Sequence, residues 1–106
     1  MELHTTSNMF VVEPIKIINT SGKTLNSTPD MQHPVYLSYH LYDITGNILQ
    51  WNNRETILEI DIKNEYVQGL LINLPHHKGT YIIEADLHTK DIRWWKTTCR
   101  FKLIYN

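Results

Sequence analysis

The sequence predicts an all-β chain, an antiparallel sandwich of two sheets and about seven strands. Three observations carry that prediction. Apolar residues recur at every second position through several segments, the period of a strand with one buried face. Those segments are rich in Val, Ile and aromatic residues. Clusters of Gly, Pro, Asn, Asp and Ser separate them at short, regular intervals, as turns do in a sandwich.

Met1 to Asn8 is short and polar with no apolar period, and reads as a frayed leader or linker ahead of a single domain over 9–106. Met9 to Ile18, "MFVVEPIKII", is apolar and β-branched. Pro14 has no N–H to give a central ladder, so an edge strand or two strands meeting at a bend is expected there. Asn19 to His33 is rich in Ser, Thr, Asn, Gly and Pro and makes one long loop. In "PVYLSYHLYDITGNILQW", Val35, Leu37, Tyr39 and Leu41 alternate with Tyr36, Ser38, His40 and Tyr42. Thr45-Gly46-Asn47 then turns the chain, and Asn47 to Trp51 returns beside it as a hairpin. This places Tyr36, His40 and Tyr42 on the side facing water.

Thr56 to Lys63 reads as a half-buried strand with Leu58, Ile60 and Ile62 inward and Glu59, Asp61 and Lys63 outward. Tyr66 to Leu74 fits a helical stripe as well as a strand; the Ile and Val content and Gly69 favour strand. Gly79 to His88 alternates cleanly, with Tyr81, Ile83, Ala85 and Leu87 on one face. From about Thr97 to Tyr105, Cys99, Phe101, Leu103 and Tyr105 share the apolar face. Tyr81 follows the "LPHHKG" crossover, where immunoglobulin-like sandwiches often carry a corner tyrosine whose hydroxyl bonds backbone across the loop. Plain core packing is its competing role. An immunoglobulin-like or fibronectin-like sandwich is therefore expected.

The formal net charge is −1, with basic and acidic residues mixed, so the electrostatic footprint of a nucleic-acid binder is missing. Cys99 is the only cysteine and cannot pair within the chain, and the N-terminus carries no charged leader followed by an apolar run. No apolar run approaches the ~20 residues that cross a bilayer, so no membrane span is expected. A soluble, cytoplasmic domain is the expectation.

Chemistry-bearing clusters are sparse. Zinc needs three or four converging ligands, whereas His4, His33, His40, His76, His77 and His88 are scattered and Cys99 has no C-x-x-C partner, so neither metal nor cofactor is expected. Cys99, in phase with Phe101 and Leu103, should be a buried and inert thiol. Glu59 and Asp61 read as a solvated strand face, and the four glycines form no phosphate loop. The chain is therefore not expected to be an enzyme.

Several islands, "NTSG" (Asn19 to Gly22), "PVYLSYHLYDITGNILQW" (Pro34 to Trp51), Arg54 with Thr56 and Leu58, "LPHHKGTYIIEADL" (Leu74 to Leu87) and "IRWW" (Ile92 to Trp95), share their spacing with a known pattern. Together they resemble a bacterial immunoglobulin-like domain appended to glycosyltransferases and other enzymes of surface-polysaccharide synthesis. A more distant similarity, of architecture alone, is to the carbohydrate-binding sandwich of polysaccharide-exporting ABC-transporter ATPases. The chain departs from the pattern at Leu25 and Leu41, where relatives often have tryptophan, and at Glu55, which separates Arg54 from Thr56. A glycan site lined by those positions is altered or absent here.

The resemblance implies a non-catalytic module that recognises a glycan or positions a glycosyltransferase domain. Sugars present a flat patch of C–H bonds ringed by hydroxyls, so aromatic faces and side-chain donors suit them. Trp51, one of Trp94 and Trp95, and Tyr42 would supply the faces; Arg54, Asn53, Asp43 and His40 would hold hydroxyls. Trp94 and Trp95 must point oppositely if extended, one inward and one outward. The competing class is an interaction module in which the same aromatics dock on a neighbouring domain or on a second copy of the chain.

Overall fold

The structure, a computed structural model, describes residues 2–27, 34–89, 93–94 and 98–106. Among them the chain is all-β, and no helix is long and apolar enough to cross a membrane. The strands are β1 (Glu2–Thr5), β2 (Met9–Ile18), β3 (Val35–Asp43), β4 (Ile48–Gln50), β5 (Thr56–Ile57), β6 (Glu65–Asn73), β7 (Gly79–Thr89), β8 (Arg93–Trp94) and β9 (Cys99–Tyr105). They form two sheets. The larger has the order β1-β9-β7-β3-β4, with β5 joined to β3 and β8 to β7; the smaller pairs β2 with β6.

The alternation in β3 sets the core. Val35, Leu37, Tyr39 and Leu41 are all buried and pack with Ile83 and Ala85 of β7, Phe101 and Leu103 of β9, and, from the small sheet, Val12, Ile17, Leu70 and Ile72. Leu41, Leu70, Ile83 and Leu103 are completely sealed, and burial of each such side chain stabilises the fold by roughly 2 kcal/mol. Tyr39 crosses between the sheets: its hydroxyl donates to Asn73 O and accepts from Asn73 N, both at 2.9 Å.

The segment around Pro14 is one edge strand rather than two. Its register with β6 shifts between Val12 and Ile15, at the cis Glu13–Pro14 bond. Gly69 lies across from this bulge, where a Cβ would sit 2.6 Å from Val11 Cγ1. The sequence-ambiguous Tyr66–Leu74 region is strand β6, and its inward side chains Gln68, Leu70 and Ile72 are buried.

Four expectations need correction. Residues 2–5 are not a frayed leader: β1 pairs in parallel with β9, Glu2 opposite Lys102 through Thr5 opposite Tyr105, and Leu3 packs on the core. The 56–63 stretch is strand only at Thr56–Ile57. Beyond it, Glu59 N donates to Gln68 Oε1, Asp61 accepts from the amide and hydroxyl of Ser27, and Leu25 bridges Ile62. This irregular return buries Leu58 and Ile62 but turns Ile60 outward.

Cys99 is exposed. It opens β9, at a cleft of about 190 Å³ that Ile15, Ile17 and Leu87 also line, so the small sheet does not seal its end of the apolar face. The outer face of β3, expected to meet water, is the fourth: Ser38, His40 and Tyr42 there are buried.

The loops are built from their own side chains. Asn19 Oδ1 accepts from the amide and hydroxyl of Ser21, while its Nδ2 donates to the carbonyls of Lys23 and Ile62. The "NTSG" motif is thus an Asx turn tied to the next layer. Residues 28–33 of the long loop lie outside the described residues. The Tyr81 hydroxyl donates to His77 O across the 74–79 crossover, the corner bond expected of it.

Candidate functional site

Antiparallel register puts Tyr36, Ser38 and His40 of β3 beside His88, Asp86 and Glu84 of β7 on the face away from the core. Directly opposed residues share a face, so these polar groups form a stripe. Its end at Tyr36 and His88 is partly exposed, but the rest does not face water. The chain after β4 folds back over it: Ser38 Oγ donates to Arg54 O at 2.9 Å and approaches Asn53 O at 3.3 Å. Asn53 Nδ2 donates to Tyr39 O and Gln50 O, both at 3.0 Å. Ser38 and His40 are 0% exposed and Asp86 2%.

His40 is the hub of this cover. Its Nδ1 lies 2.7 Å from Trp51 O and its Nε2 3.1 Å from Asp86 Oδ2. A carbonyl only accepts, so Nδ1 is the donor in the bond to Trp51 O, and Nε2 is turned to the Asp86 carboxyl. Asp86 Oδ1 accepts in turn from Leu87 N at 2.8 Å.

Above the imidazole lies an aromatic cap. Trp51 stacks on His40 with centroids 3.6 Å apart and planes 15° apart, and Trp94 meets the same ring edgewise at 4.2 Å. Trp94 also stacks on His88 at 4.2 Å and 12°, and it stands 6.0 Å from Trp51 at 68°. Trp51 keeps 37% of its surface exposed. One ring face is held by His40, and the indole is presented outward on a fixed support.

A second network continues along the stripe. Tyr42 donates to Glu84 Oε1 at 3.0 Å, Arg100 Nε donates to Glu84 Oε2, and the guanidinium carbon lies 4.9 Å from the Tyr42 ring centre. Burial alone would raise the Glu84 pKa, but the hydrogen bonds from Arg100 and Tyr42 outweigh it and hold the carboxyl below its usual value. Tyr42 is pushed up by burial and by its bond to that carboxylate.

Of the sequence-predicted residues, the structure brings Trp51, Trp94, His40 and Tyr42 to one face. His40 and Tyr42 are buried supports rather than water-facing groups: the chain at Trp51 covers His40, and Tyr42 is held by Glu84 with the Arg100 guanidinium against its ring. The Asn53 amide is engaged with backbone. Asp43 closes the β3–β4 turn: Oδ1 accepts from Thr45 N, Thr45 Oγ1 and Asn47 N, and Oδ2 from Asn47 Nδ2. Those bonds, led by the one from the Thr45 hydroxyl, hold its pKa low. Arg54 contributes its carbonyl while its side chain is exposed. Trp95 lies outside the described residues, and Trp94 is half-buried.

Sequence reasoning missed Ser38, Glu84, Asp86 and Arg100. Glu84 and Asp86 stand in the outward phase of β7, and pairing β3 with β7 would have set them beside His40 and Ser38. Among the described residues, Oε2 of Glu55 and Nδ1 of His88 are buried without a hydrogen-bond partner. Among the described residues no group of three or more His, Cys, Asp or Glu side chains is arranged to hold a metal ion. No family model, no curated protein and no solved structure matches this chain.

Proposed function

We propose that this chain is a non-catalytic carbohydrate-recognition module of bacterial surface-polysaccharide synthesis, built on an immunoglobulin-like or fibronectin-like sandwich. The bacterial and biosynthetic setting comes from the sequence resemblance. Strand order supports the sandwich type: β3, β7 and β9 lie side by side with β2 and β6 paired opposite, as strands C, F, G and B, E do in that fold. The Tyr81 corner bond supports it further.

The observation that carries the saccharide reading is Trp51. Its indole is half-supported, with one face on His40 and more than a third of its surface open. A ring fixed in this way loses little rotamer freedom when a pyranose stacks on it. Arg54 and Asn52 follow it in the chain as exposed donors.

Titration with neutral oligosaccharides at millimolar concentration, followed by tryptophan fluorescence and calorimetry, tests the reading. Saturable quenching that disappears in Trp51→Ala is expected. Absence of both heat and quenching across glucose-, mannose- and galactose-based oligomers overturns it.

A docking module is the second reading, favoured by the β3–β4 hairpin. Ile44, Ile48 and Leu49 are exposed there beside Trp51, on a strand at the end of the sheet order. Concentration-dependent sedimentation, abolished by Leu49→Lys, would support it.

A further inference from the structure

A dish of about 440 Å³ lies beyond the aromatic cap, between the β3–β4 turn and β9, lined by Tyr42, Ile44, Thr45, Gly46, Arg100 and Lys102 among others. Its most ordered donor is Arg100. The Nε is anchored on Glu84 and the guanidinium is set against the Tyr42 ring, so the plane of the fork is fixed although the side chain is 59% exposed. A guanidinium offers five N–H donors. Glu84 is its hydrogen-bonded acceptor among the described residues and the Tyr42 ring lies against it, so the terminal N–H groups have no acceptor there.

The other charges around the dish are accounted for. Asp43 is satisfied by its own turn, and Glu84 by Tyr42 and Arg100. Lys102 stands 3.6 Å from Glu2, a pair in which both side chains are nearly half exposed and which water screens. An incoming anion therefore meets one held fork and one loosely paired ammonium.

Register sets the distance to the cap. His40, which carries Trp51, is opposite Glu84, and Glu84 is opposite Arg100. Two strand spacings separate β3 from β9, roughly 10 Å. That span fits a sugar residue on Trp51 and a neighbouring residue over the dish.

We propose that the dish takes the carboxylate of an acidic sugar, with Arg100 as its two-pronged donor and Lys102 beside it. The identity of the ligand backbone rests on the saccharide reading above. Bidentate pairing of guanidinium with carboxylate supplies the specificity.

The test compares tetramers of β-1,4-linked glucuronic acid and of β-1,4-linked glucose by calorimetry at low salt. The acidic tetramer is expected to bind about ten-fold more tightly, the margin shrinking as salt rises. Arg100→Lys, which keeps the charge and loses the fork, removes the margin. Ile44→Trp, which fills the dish from its exposed rim, removes it too and covers the case in which Arg100→Lys does not fold.

Equal binding of the two tetramers, or a margin that survives Ile44→Trp, overturns the proposal and leaves the saccharide reading standing wherever Trp51→Ala still abolishes glucose-tetramer binding. Arg100-dependent binding of the acidic tetramer that ignores Trp51→Ala upholds the dish and removes the aromatic platform. Inorganic phosphate that competes as well as glucuronic acid reduces the dish to a general anion site and overturns the proposal, as does no binding by either tetramer, which leaves the saccharide reading to the mannose- and galactose-based oligomers.

Discussion

The imidazole of His40 and the indole of Trp51 lie 3.6 Å apart and nearly parallel, and the same imidazole reaches Asp86 with Nε2 and the Trp51 carbonyl with Nδ1. One side chain thus fixes both the ring and the backbone of the residue that covers it. Removing it as His40→Ala takes away two hydrogen bonds and leaves a void under the cap. A stability loss of about 3 kcal/mol in urea unfolding is expected, with Trp emission shifted to the red. A loss no larger than that of an exposed substitution, with emission unchanged, would contradict the arrangement.

The acid limb of stability should report Glu84. Its pKa in the folded chain is depressed, so it adds stability above the unfolded value, and that contribution is lost as pH falls through the folded one. Unfolding free energy is therefore expected to decline below the ordinary glutamate range. In Glu84→Gln the decline becomes shallower, as urea midpoints across a pH series would show. Asp43 and Asp61, also depressed, add to the same limb at lower pH.

At the β2 bulge, Gly69→Ala is expected to destabilise by about 1 kcal/mol, since the new methyl overlaps Val11 Cγ1 and outweighs the entropy gained by removing a glycine. The same change in a Val11→Ala background should be neutral or stabilising. A double-mutant cycle measures the difference, and additive effects would show that the two positions do not meet.

Tyr81→Phe keeps the ring in the core and deletes the bond to His77 O. The expected cost is about 1 kcal/mol with slower exchange protection lost first at the 74–79 crossover. No measurable cost would leave Tyr81 a packing residue only.

The two-residue period made much of the fold legible: the inward rows Val35 to Leu41 and Ile83 to Leu87 are core as the pattern requires. It could not say what lies over the other row. Burial of Ser38, His40 and Asp86 depends on residues 51–55 returning over β3, a non-local event with no periodic signature. Asn53 shows the same limit. Its amide looked fit for a sugar hydroxyl, yet two main-chain carbonyls, Tyr39 and Gln50, claim it. Cys99 erred in the opposite sense, because strand phase predicts the side a residue faces and not where the opposing sheet stops.

Strand β1 meets β9 with Glu2 beside Lys102, at the greatest sequence separation of any pairing described. On a ribosome, the first strand of this chain emerges with its partner still untranslated and must wait for it. Closure of that sheet margin is consequently a late event, and the nascent domain shows a bare β9 flank only after everything between the two has already had time to pack.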